Sequence, residues 1–315
     1  MIDYGEIPLS WKQWRRTKAC LLLLFMLRGI PAAVAITVTP SEGTYTREFF
    51  EEHRTNEHVY PFLVEVMTGT ASSHVGRDNF SVLDVGCGHG FLVEAWRRSG
   101  TSESYCMEGS EEAIPLWPAA HMEKYYQITD LTSQEALDAV PPTDVVTTFE
   151  VGEHLPGDRA DHFAGLLVRQ APSILFFGAA TVNQDLGKNP SHVNEQPFAF
   201  WIKVFRRHNY VLDPWETLRL RLSLNQKPMF KAWWYPKNIL VFVPESRQEQ
   251  LDRTMVQNDL GGKLDQMHQW GLGSYQGVSD TFRAMWRRDW LEFAGIFHDE
   301  LAAAKRRQLQ AVYEL

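Results

Sequence analysis

The chain has 315 residues, 44% of them hydrophobic and 22% charged, with a formal net charge of −8. A chain of this length buries one large core or two modest ones. Its acidic balance argues against a general nucleic-acid binder, whose footprint is a basic face, and leaves room for a local basic patch. The three cysteines, Cys20, Cys87 and Cys106, show no C-x-x-C spacing. They read as buried thiols of a reducing compartment, neither a disulfide framework nor a zinc site.

Residues 1–40 form a first section. Residues 11–18 are basic, 19–27 are apolar, and Ala33-Val34-Ala35 offers a small-x-small pattern. A secretory signal has that order. The apolar run is too short to cross a bilayer, and Arg28 ends it. The competing reading is a tryptophan-rich amphipathic helix that caps the domain or contacts a membrane surface. Residues 41–79 read as a helical lid. Tyr45 and Tyr60 lie within it, as core residues first and as ring faces for a bound cation second.

From Val82 the pattern changes. A short apolar run carries Asp84, then Gly86, Gly88 and Gly90 follow at alternate positions, and helix formers occupy residues 91–98. That is a strand, a turn of bare backbone and a helix N-terminus, the geometry that lets a nucleotide-like ligand lie against the chain. The G-x-G-x-G spacing differs from the G-x-G-x-x-G of dinucleotide binders. Residues 104–108 read as a second strand ending in Glu108, where a carboxylate can accept both hydroxyls of a ribose. A third strand over 125–131 closes on Asp130 and Leu131, and a fourth over 144–150, almost continuously apolar or β-branched, ends in Glu150. Further strands are expected at 173–180, 210–212 and 238–243. Helix-compatible segments lie at 111–116, 133–139, 158–170 and 198–208. The expected fold is α/β, a doubly wound seven-stranded and mostly parallel sheet over residues 80–244, with ligands at the carboxyl ends of its strands. Asp84, Glu108, Asp130 and Glu150 all fall at such ends.

With an acid two residues before its first glycine, the segment 84–90 resembles the D/E-x-G-x-G-x-G motif of the class I, Rossmann-like methyltransferases that use S-adenosylmethionine (SAM). The resemblance covers about half of the chain. It implies that Asp84, Gly86, Gly88 and Gly90 cradle SAM and that Glu108 holds its ribose. It also implies that Asp130 and Leu131 touch the adenine, Asp130 toward the exocyclic amine. Glu150 faces the cofactor's amino group in the same reading. SAM is a cytosolic metabolite, so the expected location is cytoplasmic, with membrane association only through the N-terminal segment.

Glu150-Val151-Gly152-Glu153-His154 places two carboxylates and an imidazole after the fourth strand. Methyl transfer to oxygen or nitrogen needs an oriented acceptor and removal of a proton, a task suited to histidine near neutral pH. His154 is the candidate base, with Glu153 as its orienter or a substrate ligand. The alternative is that both cap a helix. The string H-V-N-E-Q-P from His192, followed by Phe200-Trp201, resembles a signature of one methyltransferase subgroup tied to small-molecule and glycan pathways. That implies His192, Asn194 and Glu195 at an acceptor pocket, against a loop latch as the alternative. E-x-x-E-H with a later histidine also resembles magnesium-dependent 2′-O-methyltransferases of small RNAs, and E-x-x-E-H resembles ubiquinone-pathway O-methyltransferases. A divalent cation is therefore a second candidate cofactor, its ligands undecided. The expected activity is methylation of a hydroxyl or amine of a small molecule, such as a secondary metabolite or glycan precursor. The alternatives are a metal-dependent RNA 2′-O-methyltransferase, and transfer or cyclisation of SAM's aminobutyrate arm.

Residues 229–236 are dense in aromatics and read as a pocket wall or a dimer contact. Residues 245–315 form a helical extension. Within it Phe282, Trp286, Trp290, Phe293, Phe297 and Leu301 recur at spacings of four and three, an amphipathic helix with an aromatic stripe. Packing on its own sheet is the first expectation and a homodimer the second.

Overall fold

The computed structural model describes residues 45–117, 126–225, 232–260, 264 and 279–313. The chain divides into two compact units, residues 1–37 and 38–315, and the described residues belong to the second. The basic and apolar N-terminal stretch, Cys20 and residues 229–231 lie outside the described residues.

Two helices lead, α1 (Arg47–His53) and α2 (Tyr60–Val75). The Rossmann-like succession follows: β1 (Ser81–Val85), α3 (Phe91–Arg98), β2 (Glu103–Glu108), β3 (Tyr126–Ile128), α4 (Gln134–Ala139), β4 (Val145–Phe149), α5 (Ala160–Leu167), β5 (Ile174–Gly178), α6 (Phe198–Arg206), β6 (Tyr210–Leu212), α7 (Pro214–Asn225), α8 (Trp234–Asn238) and β7 (Leu240–Pro244). After them come α9 (Gln248–Gln257) and α10 (Asp280–Tyr313). The strand order is β3-β2-β1-β4-β5-β7-β6. Pairs among β1 to β5 are parallel, whereas β7 runs antiparallel to both β5 and β6. The order reverses between β1 and β4, which opens a crevice at their carboxyl ends.

Alternation along each central strand divides the core. Val82, Ile174, Phe176, Val241 and Val243 pack with α2, α3 and α7. Their neighbours Leu83, Val85, Leu175, Phe177, Leu240 and Phe242 pack with α5, α6 and α10. Both faces are thus covered, which is why these strands are nearly continuous apolar runs. Trp286, Trp290, Phe293, Phe297 and Leu301 of α10 are buried, so the aromatic stripe packs on the chain's own sheet.

Three expectations are corrected. The seventh strand starts at Leu240, because residues 234–238 coil into α8. The third stops at Ile128, because the Asp130 carboxylate accepts the Thr132 amide at 2.8 Å and turns the chain. Cys87 and Cys106, expected as separate thiols, are joined as a disulfide with Cα atoms 5.6 Å apart. Asp84 lies opposite Cys106 in the parallel β1–β2 pair, so the turn after β1 necessarily passes close to β2.

A buried ion pair fastens α10. Lys237 donates to Asp289 at 2.9 Å and also to the Thr181 hydroxyl, and both charged side chains are only 2% exposed. Removing one partner strands the other charge in the core, at a cost of about 3 kcal/mol. Urea unfolding of Asp289→Leu should show that loss. The double variant Lys237→Met/Asp289→Leu should be more stable than Asp289→Leu alone.

Candidate functional site

A cavity of about 410 Å³ opens at the carboxyl ends of β1, β2 and β4. Its floor is the turn after β1. Gly86 (φ 76°) and Gly88 (φ 52°) line it, and Gly90 (φ 77°) stands behind as the N-cap of α3. All three occupy the left-handed region that glycine alone enters freely. At Gly86 a β-carbon would also overlap the Val151 side chain.

Acidic residues stand around this turn. Glu108 accepts the amides of Gly88 at 2.7 Å and of Gly109 and Ser110 at 2.9 Å each. Burial raises its pKa while those donors oppose the rise. Asp84 is not on the wall. It lies buried beneath the turn, accepts the Thr147 hydroxyl at 2.7 Å, and is pushed up to about 7 by burial. Asp130 is exposed at the rim beside buried Leu131. Glu150 adopts φ 57° and lines the cavity. Its carboxylate accepts Gln184 at 2.6 Å and Asn238 at 2.8 Å, and burial raises its pKa.

The far end carries two imidazoles whose ring centroids are 4.8 Å apart. His154 Nδ1 lies 3.1 Å from the Ser191 carbonyl. A carbonyl only accepts, so Nδ1 carries the proton and Nε2 is the basic nitrogen. His192 Nδ1 lies 2.9 Å from Glu195 and 3.3 Å from Asp185. Tyr45 meets the His154 ring edge-on at 5.4 Å. The orienter of His154 is therefore the Ser191 carbonyl, where the sequence suggested Glu153. Glu153 is fully buried, and burial with the nearby Glu150 carboxylate raises its pKa well above the usual range. Glu153, His154 and His192 offer ligand atoms within 4.8 Å of one another. Two imidazoles and a carboxylate suit a divalent first-row cation.

Asn194 acts as a latch rather than a wall. It is buried, donates to the Gly152 carbonyl at 3.1 Å and accepts from Gln196. Sequence reasoning missed Gln184, Asp185, Ser191 and Asn238, which hold or orient the functional groups from distant parts of the chain. Tyr45 and Tyr60 both line the cavity, as do Trp234 and Tyr235 from the aromatic-rich segment.

Residues 44–174 match a family model described as a methyltransferase domain. A ubiquinone biosynthesis O-methyltransferase from Azoarcus sp. (strain BH72) is 34% identical over 115 residues, 36% of this chain and 48% of that protein. The mitochondrial ubiquinone biosynthesis O-methyltransferase of Candida albicans is 27% identical over 202 residues, 57% of each chain. The chain spans about half the length of the curated relatives it matches. Among solved structures, the plantazolicin methyltransferase BamL, in complex with S-adenosylhomocysteine (SAH), is 15% identical with a TM-score of 0.46, over 63% of this chain and 90% of that one. No helix of the described residues is long and apolar enough to cross a membrane.

The crowding at Gly86 has a direct consequence. Gly86→Ala must adopt a left-handed φ and displace Val151, which costs about 2 kcal/mol or more. Calorimetry should find SAH binding lost, together with a lowered melting temperature.

Proposed function

We propose that this protein transfers the methyl group of SAM to a hydroxyl or amine of a small molecule. The observation that carries this reading is one cavity with the glycine turn and Glu108 at one end and two oriented imidazoles at the other. Gly86 and Gly88 let the donor approach bare backbone, Glu108 accepts its ribose hydroxyls, and Asp130 with Leu131 meets the adenine. Asp84 and Glu150 supply negative potential toward the donor's cationic end.

The acceptor then lies between the donor and the imidazoles. Displacement at the methyl carbon places a positive charge on the acceptor atom, and a histidine Nε2 takes its proton. Burial and the nearby Glu150 carboxylate favour the protonated form of Glu153, which makes it a weaker candidate for the base than either imidazole. His192 Nδ1 is held by Glu195 and Asp185 and His154 Nδ1 by a backbone carbonyl, so either ring receives the proton at Nε2 without reorienting. The cavity wall holds no lysine or arginine among the described residues, which gives a phosphodiester backbone no partner there and favours a small acceptor over RNA. The relatives named for ubiquinone biosynthesis support an oxygen acceptor over a nitrogen one.

A second reading rests on the Glu153, His154 and His192 donors. These residues would hold a divalent cation, which as a Lewis acid would lower the pKa of an acceptor hydroxyl. Turnover after dialysis against a chelator, with and without added magnesium or manganese, separates the two readings. Full activity without metal leaves the imidazoles as the base.

SAH formation from SAM and a panel of phenols, catechols and amines tests the activity itself. Without SAM or SAH binding by calorimetry the proposal fails. His154→Ala and His192→Ala should lower kcat by about 10²-fold or more with SAH affinity retained. Asp84 gives a pH dependence. Below pH 7 its carboxyl is neutral and above it anionic, so the affinity for cationic SAM should rise as pH passes through about 7. Asp84→Asn should flatten that rise.

A further inference from the structure

We propose that Asp185 reads the charge of the acceptor, favouring one that carries an ammonium group and turning away one that carries a carboxylate. The assignment rests on the methyl-transfer reading above. Asp185 follows Gln184 in the segment after β5 and lines the cavity beside His192. The flanking residues Asn183 and Leu186 adopt φ 61° and 56°, conformations that residues with a β-carbon hold only where contacts fix them. Those contacts are present. The Asn183 amide donates to Glu195 at 2.5 Å, Gln184 donates to Glu150 at 2.6 Å, and the Thr181 hydroxyl donates to Asp289 at 2.6 Å. A segment tied at three points thus presents Asp185 to the cavity.

The other acids near the imidazoles are already engaged. Glu150 accepts both Gln184 and Asn238. Glu195 gives one oxygen to His192 at 2.9 Å and the other to the Asn183 amide. Glu153 is fully buried, and burial with the Glu150 carboxylate raises its pKa well above the usual range. Asp185 differs. It stands 3.3 Å from His192 Nδ1, but the single proton there is directed at the nearer Glu195. Among the described residues its carboxylate accepts no hydrogen bond, and its side chain is 35% exposed. Its oxygen lone pairs are therefore left for a ligand. Tyr45, Phe49 and Trp234 line the same cavity, and aromatic ring faces attract a cation. An acceptor that places an ammonium at Asp185 gains a charge-assisted contact. A carboxylate at the same place meets Asp185 with Glu195 close behind it, and is repelled.

Steady-state kinetics with dopamine, para-ethylcatechol and homoprotocatechuate test this directly. The three share one catechol ring and carry an ammonium, no charge and a carboxylate on its side chain. Wild-type kcat/KM should be about tenfold or more higher for dopamine than for homoprotocatechuate, the range of one charge-assisted contact, with para-ethylcatechol between them. Asp185→Asn should bring the two charged acceptors within about threefold of each other, and Asp185→Lys should reverse their order. Retained SAH affinity by calorimetry shows that the fold and the donor end are intact in both variants. An equal loss for all three acceptors in Asp185→Asn overturns the assignment and makes Asp185 a positioning residue for His192. An undiminished preference in Asp185→Asn, or a wild type that treats the three alike, overturns it while the methyl-transfer reading stands. Turnover of none of the three with SAH still bound overturns it and leaves the donor site standing. Absence of SAH binding overturns both.

Discussion

At Gly86 three segments of the chain meet with no room for a β-carbon. Its amide donates to the Met107 carbonyl of β2 at 2.7 Å, and its α-carbon faces the Val151 side chain that follows β4. This contact sets both ends of the cavity together. Drawing the turn onto β2 brings the Gly88 amide within reach of Glu108. Drawing it onto Val151 fixes where the chain leaves β4, and therefore where Glu150, Glu153 and His154 stand. Both ends of the cavity are consequently held in one frame rather than on independent loops.

The geometry of the cavity depends next on Glu150. A non-glycine residue at φ 57° is held against a strain of about 1 kcal/mol. Its amide bonds to the Gly178 carbonyl at 2.8 Å, and its carboxylate is held by Gln184 and Asn238. Gln184 belongs to the segment after β5 and Asn238 to the end of α8. The same segments carry Thr181 and Lys237, which the Asp289 carboxylate ties to α10. The C-terminal extension thus contributes rigidity to the site although its buried face looks like ordinary core. A helix that long would be hard to justify by propensity alone, and its aromatic stripe supplies the packing that keeps it in place.

Much of this was legible in the sequence because the responsible forces are local. Strands buried on both faces write themselves as apolar runs, the left-handed turn demands glycine, and the acids Glu108 and Glu150, which line the cavity, sit where such strands end. What stayed hidden depends on contacts between distant residues. Nothing near Ser191 announces that its carbonyl orients His154, and nothing near Gln184 or Asn238 announces Glu150. The Cys87–Cys106 pairing follows from strand neighbourhood, which no spacing motif encodes. Asn194 was ambiguous between pocket and latch because one amide chemistry serves both, and only its burial against Gly152 decides for the latch. Tyr60 is at once core and cavity wall, a distinction that composition does not draw.

The charge arrangement links the architecture to the donor. Asp84, Glu108 and Glu150 are each driven toward the neutral form by burial, and the wall offers no cationic side chain of lysine or arginine among the described residues to compensate. These carboxyl groups are buried and poorly solvated, and Glu108 adds to the rise at Asp84, an arrangement that destabilises their ionised forms. A sulfonium and an ammonium entering the cavity offset that deficit, and the acids ionise more readily as they do. Once the methyl group has left, the sulfur is neutral, and the same field attracts SAH less than it attracted SAM. Under the proposed function, an acid-lined cavity of this kind favours the charged donor over its spent product.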